Sequence, residues 1–140
     1  MKGFEMIMRL LNTTDDIDLK KESAMVLGSA IQSNPKVKIH AIKSEFLQLV
    51  LNKLATKSVQ TQDAASSSSN SPTNILENDD FHSKLLFALS GLLREYPFAQ
   101  NQFIRFGGIN ILSNLIETTS SFKVKLKIIT LTNDLIQEKV

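Results

Sequence analysis

Lys84-Leu85-Leu86-Phe87-Ala88-Leu89-Ser90-Gly91-Leu92-Leu93-Arg94-Glu95-Tyr96-Pro97 is an apolar run closed by a proline, and it has an earlier counterpart. Glu22-Ser23-Ala24-Met25-Val26-Leu27-Gly28-Ser29-Ala30-Ile31-Gln32-Ser33-Asn34-Pro35 has the same form, with the two prolines 62 positions apart. Each reads as a buried helix that stops before its proline, because proline disfavours the α region at the preceding residue. A repeat of this kind governs the reading of everything around it.

Working outward, Phe4, Ile7, Met8 and Leu11 share one helical face, and that helix stops at the polar turn Asn12-Thr13-Thr14-Asp15-Asp16. From about Ile17 to Ile31 a second helix carries Ala24, Leu27 and Ile31 on one side, with Asp15, Asp16 and Asp18 at its positive end. Pro35 opens a short helix through Val37, Ile39, Ala41 and Ile42. Phe46 to Ala55 follows with Leu47, Val50, Leu51 and Leu54 at helical spacing. Asn78-Asp79-Asp80 reads as the cap of the central helix, whose stripe is Leu85, Leu86, Leu89, Leu92 and Leu93. Pro97 opens a second short helix with Phe98, Phe103 and Ile104, broken by Gly107-Gly108. Ile109, Leu112, Leu115 and Ile116 make another helix, and Lys123 to Lys139 closes the chain with Val124, Ile128, Leu131 and Leu135 inward. No alternation is long enough for a strand, so the predicted class is all-α.

Thr56 to Asp79 has little to bury, and its serine-rich run has the composition of a flexible linker. The repeat crosses it, so it reads as a flexible insertion at 56–79 in a single domain spanning 1–140. Lengthening a surface loop costs little entropy. Helix starts at Gly3, Phe46 and Gly108, with Met25, Phe87 and Ile129 aligned in the long helices, give a unit of about 42 residues and one insertion of about 20. That is the armadillo period, and it predicts a right-handed superhelix, a solenoid of about three repeats. The array begins and ends inside a repeat, so the expectation is a fragment of a longer array, because terminal units need polar caps.

Composition narrows the function. A content of 42% apolar and 6% aromatic residues is that of a globular chain, and 140 residues bury roughly two-thirds of the unfolded surface. A net charge of +2 is too small for a nucleic-acid footprint, and no apolar run reaches the length of a membrane span. There is no cysteine, which excludes disulfides and thiolate metal sites. Glu5 and Arg9 interrupt any signal-peptide core, so a complete chain would be cytosolic and a fragment would have lost its address. His40 and His82 sit in different units without a nucleophile pattern, and Asp15-Asp16 and Asp79-Asp80 lack the spacing of a calcium loop. Gly107-Gly108 follows no strand and reads as a turn rather than a phosphate cradle. No catalytic residue, metal site or cofactor is expected. Asn12-Thr13-Thr14 is a glycosylation acceptor pattern in an exposed turn.

Three segments carry a family likeness. Val26-Leu27-Gly28-Ser29-Ala30-Ile31-Gln32-Ser33-Asn34-Pro35-Lys36-Val37, then Leu86 to Arg94, then Tyr96-Pro97-Phe98-Ala99-Gln100-Asn101-Gln102-Phe103 resemble the armadillo-type nucleotide exchange factors of seventy-kilodalton heat-shock chaperones. The tail, with Phe106-Gly107-Gly108-Ile109 and Asp134-Leu135-Ile136-Gln137-Glu138-Lys139, is most similar to the animal endoplasmic-reticulum member that serves BiP. The likeness covers nearly the whole chain except Thr56 to Asp79. It implies a monomeric co-chaperone without chemistry of its own, which grips the chaperone's ATPase domain, opens the cleft and speeds ADP loss in the endoplasmic-reticulum lumen. It also favours use of Asn12 as a glycosylation site.

In an armadillo stack the third helices line the concave face. Their outward stripe here is Glu22, Met25, Ser29 and Ser33, then Lys84, Phe87, Gly91 and Glu95, then Lys125, Ile129, Asn133 and Gln137. These are the expected chaperone contacts, with small residues at Ser29 and Gly91 admitting a partner closely. The competing expectation buries Met25, Phe87 and Ile129 between neighbouring repeats and leaves Lys20, Lys21, Lys123, Lys125 and Lys127 as solvated faces. Two other functions stay open: the cytosolic branch of the same family, and a generic armadillo adaptor for an extended peptide. An asparagine ladder would favour the adaptor, and only Asn133 occupies such a position.

Overall fold

The computed structural model describes residues 2–55, 72–119 and 121–139, and every regular element among them is an α-helix. In order these are α1 (Lys2–Thr13), α2 (Ile17–Ser33), α3 (Pro35–Lys43), α4 (Phe46–Ala55), α5 (Pro72–Leu93), α6 (Pro97–Arg105), α7 (Gly108–Thr118) and α8 (Phe122–Lys139).

The three long helices α2, α5 and α8 lie side by side in one layer, with α5 in the middle. Behind them α1 packs on α2, α4 on α5, and α7 on α8, while α4 also meets α7. The short helices α3 and α6 turn the chain from one layer to the other. The leucine stripe of α5 drives this arrangement: Leu85, Leu89 and Leu92 are wholly buried, as are Phe46, Leu47 and Val50 of α4 and Phe103 of α6. Each such side chain contributes roughly 1.5–3 kcal/mol of burial.

Local chemistry sets the helix ends. Asp16 Oδ1 accepts from the backbone N–H groups of Asp18 and Leu19 at 3.0 and 3.4 Å, satisfying two donors that a helix start leaves open. Asn34 does the same for α3, accepting from Lys36 N–H at 2.9 Å beside Pro35. Tyr96 holds the equivalent position before Pro97 without a capping side chain. There the buried Gln100 amide donates instead to the carbonyl of Leu93 at 2.9 Å, closing the end of α5.

Four backbone hydrogen bonds around the short helices recur at the offset of 62 read from the sequence. Ser44 donates to His40, Glu45 to Ile42 and Leu49 to Glu45; 62 positions on, Phe106 donates to Gln102, Gly107 to Ile104 and Ile111 to Gly107. Lys38 to Asn34 and Gln100 to Tyr96 form a fourth matched pair. At the turn between short helix and next helix, Glu45 has φ 64° and Gly107 φ 76°, both left-handed. Glycine accepts that conformation freely, whereas a residue with a Cβ is strained there by roughly 1–2 kcal/mol.

Two sequence expectations need correction. The central helix begins at Pro72, not at Asn78-Asp79-Asp80. Asp79 is buried and accepts from Thr119 Oγ1 at 3.2 Å, and Asp80 pairs with lysines, so neither serves as a cap. Consequently 72–79 of the expected insertion is helical, while 56–71 lies outside the described residues.

Candidate interaction surface

Along α2 the expected stripe is open: Glu22, Met25, Ser29 and Ser33 are exposed. On α5, Lys84 and Phe87 are half-buried and Glu95 is exposed just past the helix end. On α8, Lys125 is half-buried while Ile129, Asn133 and Gln137 are exposed. The competing expectation of burial fails for Met25 and Ile129, whereas Phe87 is half-buried with its ring against Gly28 of α2.

Gly91 departs from expectation. It is buried, and a methyl placed on it would lie 2.5 Å from Gln32 Cγ. The space left by the missing side chain is occupied by Gln32 of α2, whose amide lies 3.4 Å from the Phe87 carbonyl. Gly91 thus admits a neighbouring helix rather than a partner. Gly28 acts reciprocally, because a methyl there would meet Phe87 Cδ2 at 2.9 Å and the Ala88 backbone at 3.1 Å. The two glycines let α2 and α5 approach closely.

The stripe also divides between two grooves. Phe87 lies in a groove of about 470 Å³ with Gln32 of α2, Arg94 at the end of α5, and Lys123, Leu126 and Lys127 of α8. Ile129 and Asn133 lie in another, of about 380 Å³, with Ile109, Ile116 and Ile136 between α7 and α8. Helical spacing identified an outward face on α8 but missed Leu126 and Lys127, which turn toward α5. A third cleft, on the opposite layer between α1 and α4, is lined by Glu5, Arg9, Asn12, Lys43, Glu45 and Gln48.

One carboxylate ties the long helices together. Asp80 of α5 lies 3.3 Å from the Lys21 ammonium of α2, 3.7 Å from Lys84 and 3.8 Å from Lys123 of α8. Partial burial pushes the Asp80 carboxyl up, but the hydrogen bond from Lys21 and the charges of Lys84, Lys21 and Lys123 outweigh it. The carboxyl is held below the usual aspartate value. Lys21 and Lys123 are therefore interhelical partners, not simply solvated charges, and Lys20 lies over the Phe81 ring at 5.9 Å. Sequence spacing offers the i,i+4 pair Asp80–Lys84 but gives no sign of Lys21 and Lys123, which lie far from Asp80 along the chain.

The histidines are placed apart. His40 lies 3.4 Å from Glu5, against the edge of Phe4, and His82 is buried beside Phe81. Among the described residues no group of three histidine, aspartate or glutamate side chains is arranged to hold a metal ion. Nor is any described helix long and apolar enough to cross a membrane. Asn12 is exposed at the end of α1, and its carbonyl accepts from Lys53 Nζ at 3.4 Å.

The family model described as the SIL1/FES1/HPBP1 C-terminal domain matches residues 1–65 and 74–140. The chain belongs to the SIL1/FES1/HPBP1 C-terminal domain family. The gap in the match, 66–73, falls in the serine-rich run and is narrower than the expected lapse from Thr56 to Asp79. Among similar proteins of this SIL1/FES1/HPBP1 group, the nucleotide exchange factor SIL1 of Mus musculus is 36% identical over 138 residues, 99% of this chain and 25% of its own length. Its namesake from Rattus norvegicus is 36% identical with the same coverage, and that from Xenopus laevis is 34% identical over 99% of this chain and 26% of its own. The chain thus spans about a quarter of the length of these relatives. No solved structure matches it.

Proposed function

We propose that this chain is the chaperone-gripping part of an adenyl-nucleotide exchange factor, a co-chaperone with no catalysis of its own. Its partner in this reading is the ATPase domain of BiP, and its place is the lumen of the endoplasmic reticulum. The observation that carries the reading is the family match across both halves of the chain, joined to relatives named as nucleotide exchange factors. The finer architecture in this reading is an armadillo-type right-handed superhelix. The layer of three long helices and the backbone bonds repeated at an offset of 62 support it.

In this arrangement the open face of α2 and the half-buried Lys84 and Phe87 of α5 meet the chaperone, with Lys125, Ile129, Asn133 and Gln137 of α8 extending the contact. Gly91 supports the surface from beneath. Binding releases ADP only if it favours the open nucleotide cleft over the closed one, since an equilibrium shifts by differential affinity alone. Linkage then requires ADP to weaken the grip by the same factor. Calorimetric titration of the chain into the BiP ATPase domain tests this, with the domain nucleotide-free or saturated with ADP. The nucleotide-free domain should bind more tightly, and a joint Met25→Glu, Ser29→Arg change should weaken that binding. Equal affinity in both states would overturn the proposal.

A further inference from the structure

The groove between α5 and α8 combines an apolar floor with a cationic rim, two of whose members, Arg94 and Lys127, have no ion-pair partner among the described residues. Its floor is Phe87, half-buried, Leu126, which is 52% exposed, and the buried Leu131. Arg94 stands at one end, with Lys123 and Lys127 along the α8 side. Among the described residues no aspartate or glutamate lines it. Lys123, 3.8 Å from Asp80, shares that carboxylate with Lys21 and Lys84, and Lys21 also lies 3.7 Å from Asp18. Neither the Arg94 guanidinium nor the Lys127 ammonium has a carboxylate within ion-pair distance among the described residues.

An apolar floor with a cationic rim selects for anions attached to an apolar group. Water displaced from Phe87 and Leu126 supplies the hydrophobic gain, and a carboxylate beside that dry floor meets its cation in a lower dielectric than bulk water. Length constrains the occupant too: from Leu86 to Arg94 the helix advances about 12 Å, the span of roughly four extended residues. A nucleic-acid backbone needs a longer basic track than this.

We propose that this groove binds a short acidic peptide segment of a protein partner, with one large apolar side chain seated on Phe87 and Leu126. Carboxylates on either side of that anchor pair with Arg94 at one end and with Lys123 and Lys127 along the other wall. The proposal does not depend on the exchange-factor reading, and its test needs no chaperone.

Fluorescence anisotropy of a labelled hexapeptide, Asp-Glu-Leu-Phe-Glu-Asp, titrated with the chain provides that test. Lys-Lys-Leu-Phe-Lys-Lys serves as the charge-reversed control. Saturable binding of the acidic peptide that weakens with salt, and none of the basic one, is expected. The double variant Arg94→Glu, Lys127→Glu should lose at least about tenfold in affinity while its circular dichroism stays helical. Leu126→Ser should weaken binding without changing the salt dependence, which separates the floor from the rim. Absence of saturation, equal binding of the basic peptide, or an unaffected double variant would overturn the proposal. So would sedimentation showing that the unmodified chain dimerises and that the double variant does not, since the occupant would then be a second copy.

Discussion

Replacing Gly28 by leucine should separate α2 from α5 and so test how the long-helix layer is held. A single methyl at Gly28 would already lie 2.9 Å from the Phe87 ring and 3.1 Å from the Ala88 backbone. Leucine adds three further carbons to that methyl in a space that has none free. On an open helix the change would stabilise by about 0.8 kcal/mol through propensity. Overpacking costs typically 1–3 kcal/mol, and the backbone contact at Ala88 puts this case at or above the upper end. The net expectation is a loss of about 2 kcal/mol, or roughly 4–8 °C in Tm for a chain of this size. Urea denaturation followed by circular dichroism measures it. Ser29→Leu is the control, because that neighbouring position is exposed and should shift stability by no more than about 0.5 kcal/mol. If Gly28→Leu is as stable as the parent, or Ser29→Leu is equally destabilised, the close-approach account fails.

Glu45→Gly should stabilise the chain by up to about 1 kcal/mol, since it relieves the left-handed strain that Gly107 avoids at the matched turn; thermal denaturation checks this. Asp80→Asn should destabilise at pH 7 by at most about 1 kcal/mol, because the hub is partly exposed and screened. The folded Asp80 carboxyl is held below its unfolded value, so its contribution is present above that value and disappears as pH falls through the folded one. Urea midpoints of parent and variant should therefore converge below about pH 4. Secretion of the chain from animal cells should give a band that glycosidase shifts and that Asn12→Gln abolishes, as the exposed Asn12 lies in an acceptor triplet.

Much of the fold was legible because its signals are local. The leucine stripe of α5 and the proline starts of α3 and α6 lie in short windows, and the offset of 62 follows from comparing two such windows. The stripe is buried and the offset recurs in the backbone bonds. The start of α5 was misread because Asn78-Asp79-Asp80 has capping composition. Thr119, Lys21 and Lys123, all distant in sequence, join the nearby Lys84 in deciding what Asp79 and Asp80 do. The surface was legible only by helix. Spacing found the open sides of α2 and α8, but not that Gln32 fills the gap at Gly91. Nor could it show that Leu126 and Lys127, rather than Ile129, share a groove with Phe87. Those facts depend on how helices rotate against one another, which no single helix encodes.

The central claim is nucleotide exchange, and stopped-flow release of a fluorescent ADP analogue from the ATPase domain of BiP tests it most directly. With this chain in excess, release should accelerate in a saturable manner. The acceleration should fall when Met25 and Ser29 on the open face of α2 are replaced by charged residues. A release rate that does not change at saturating chain would contradict the account.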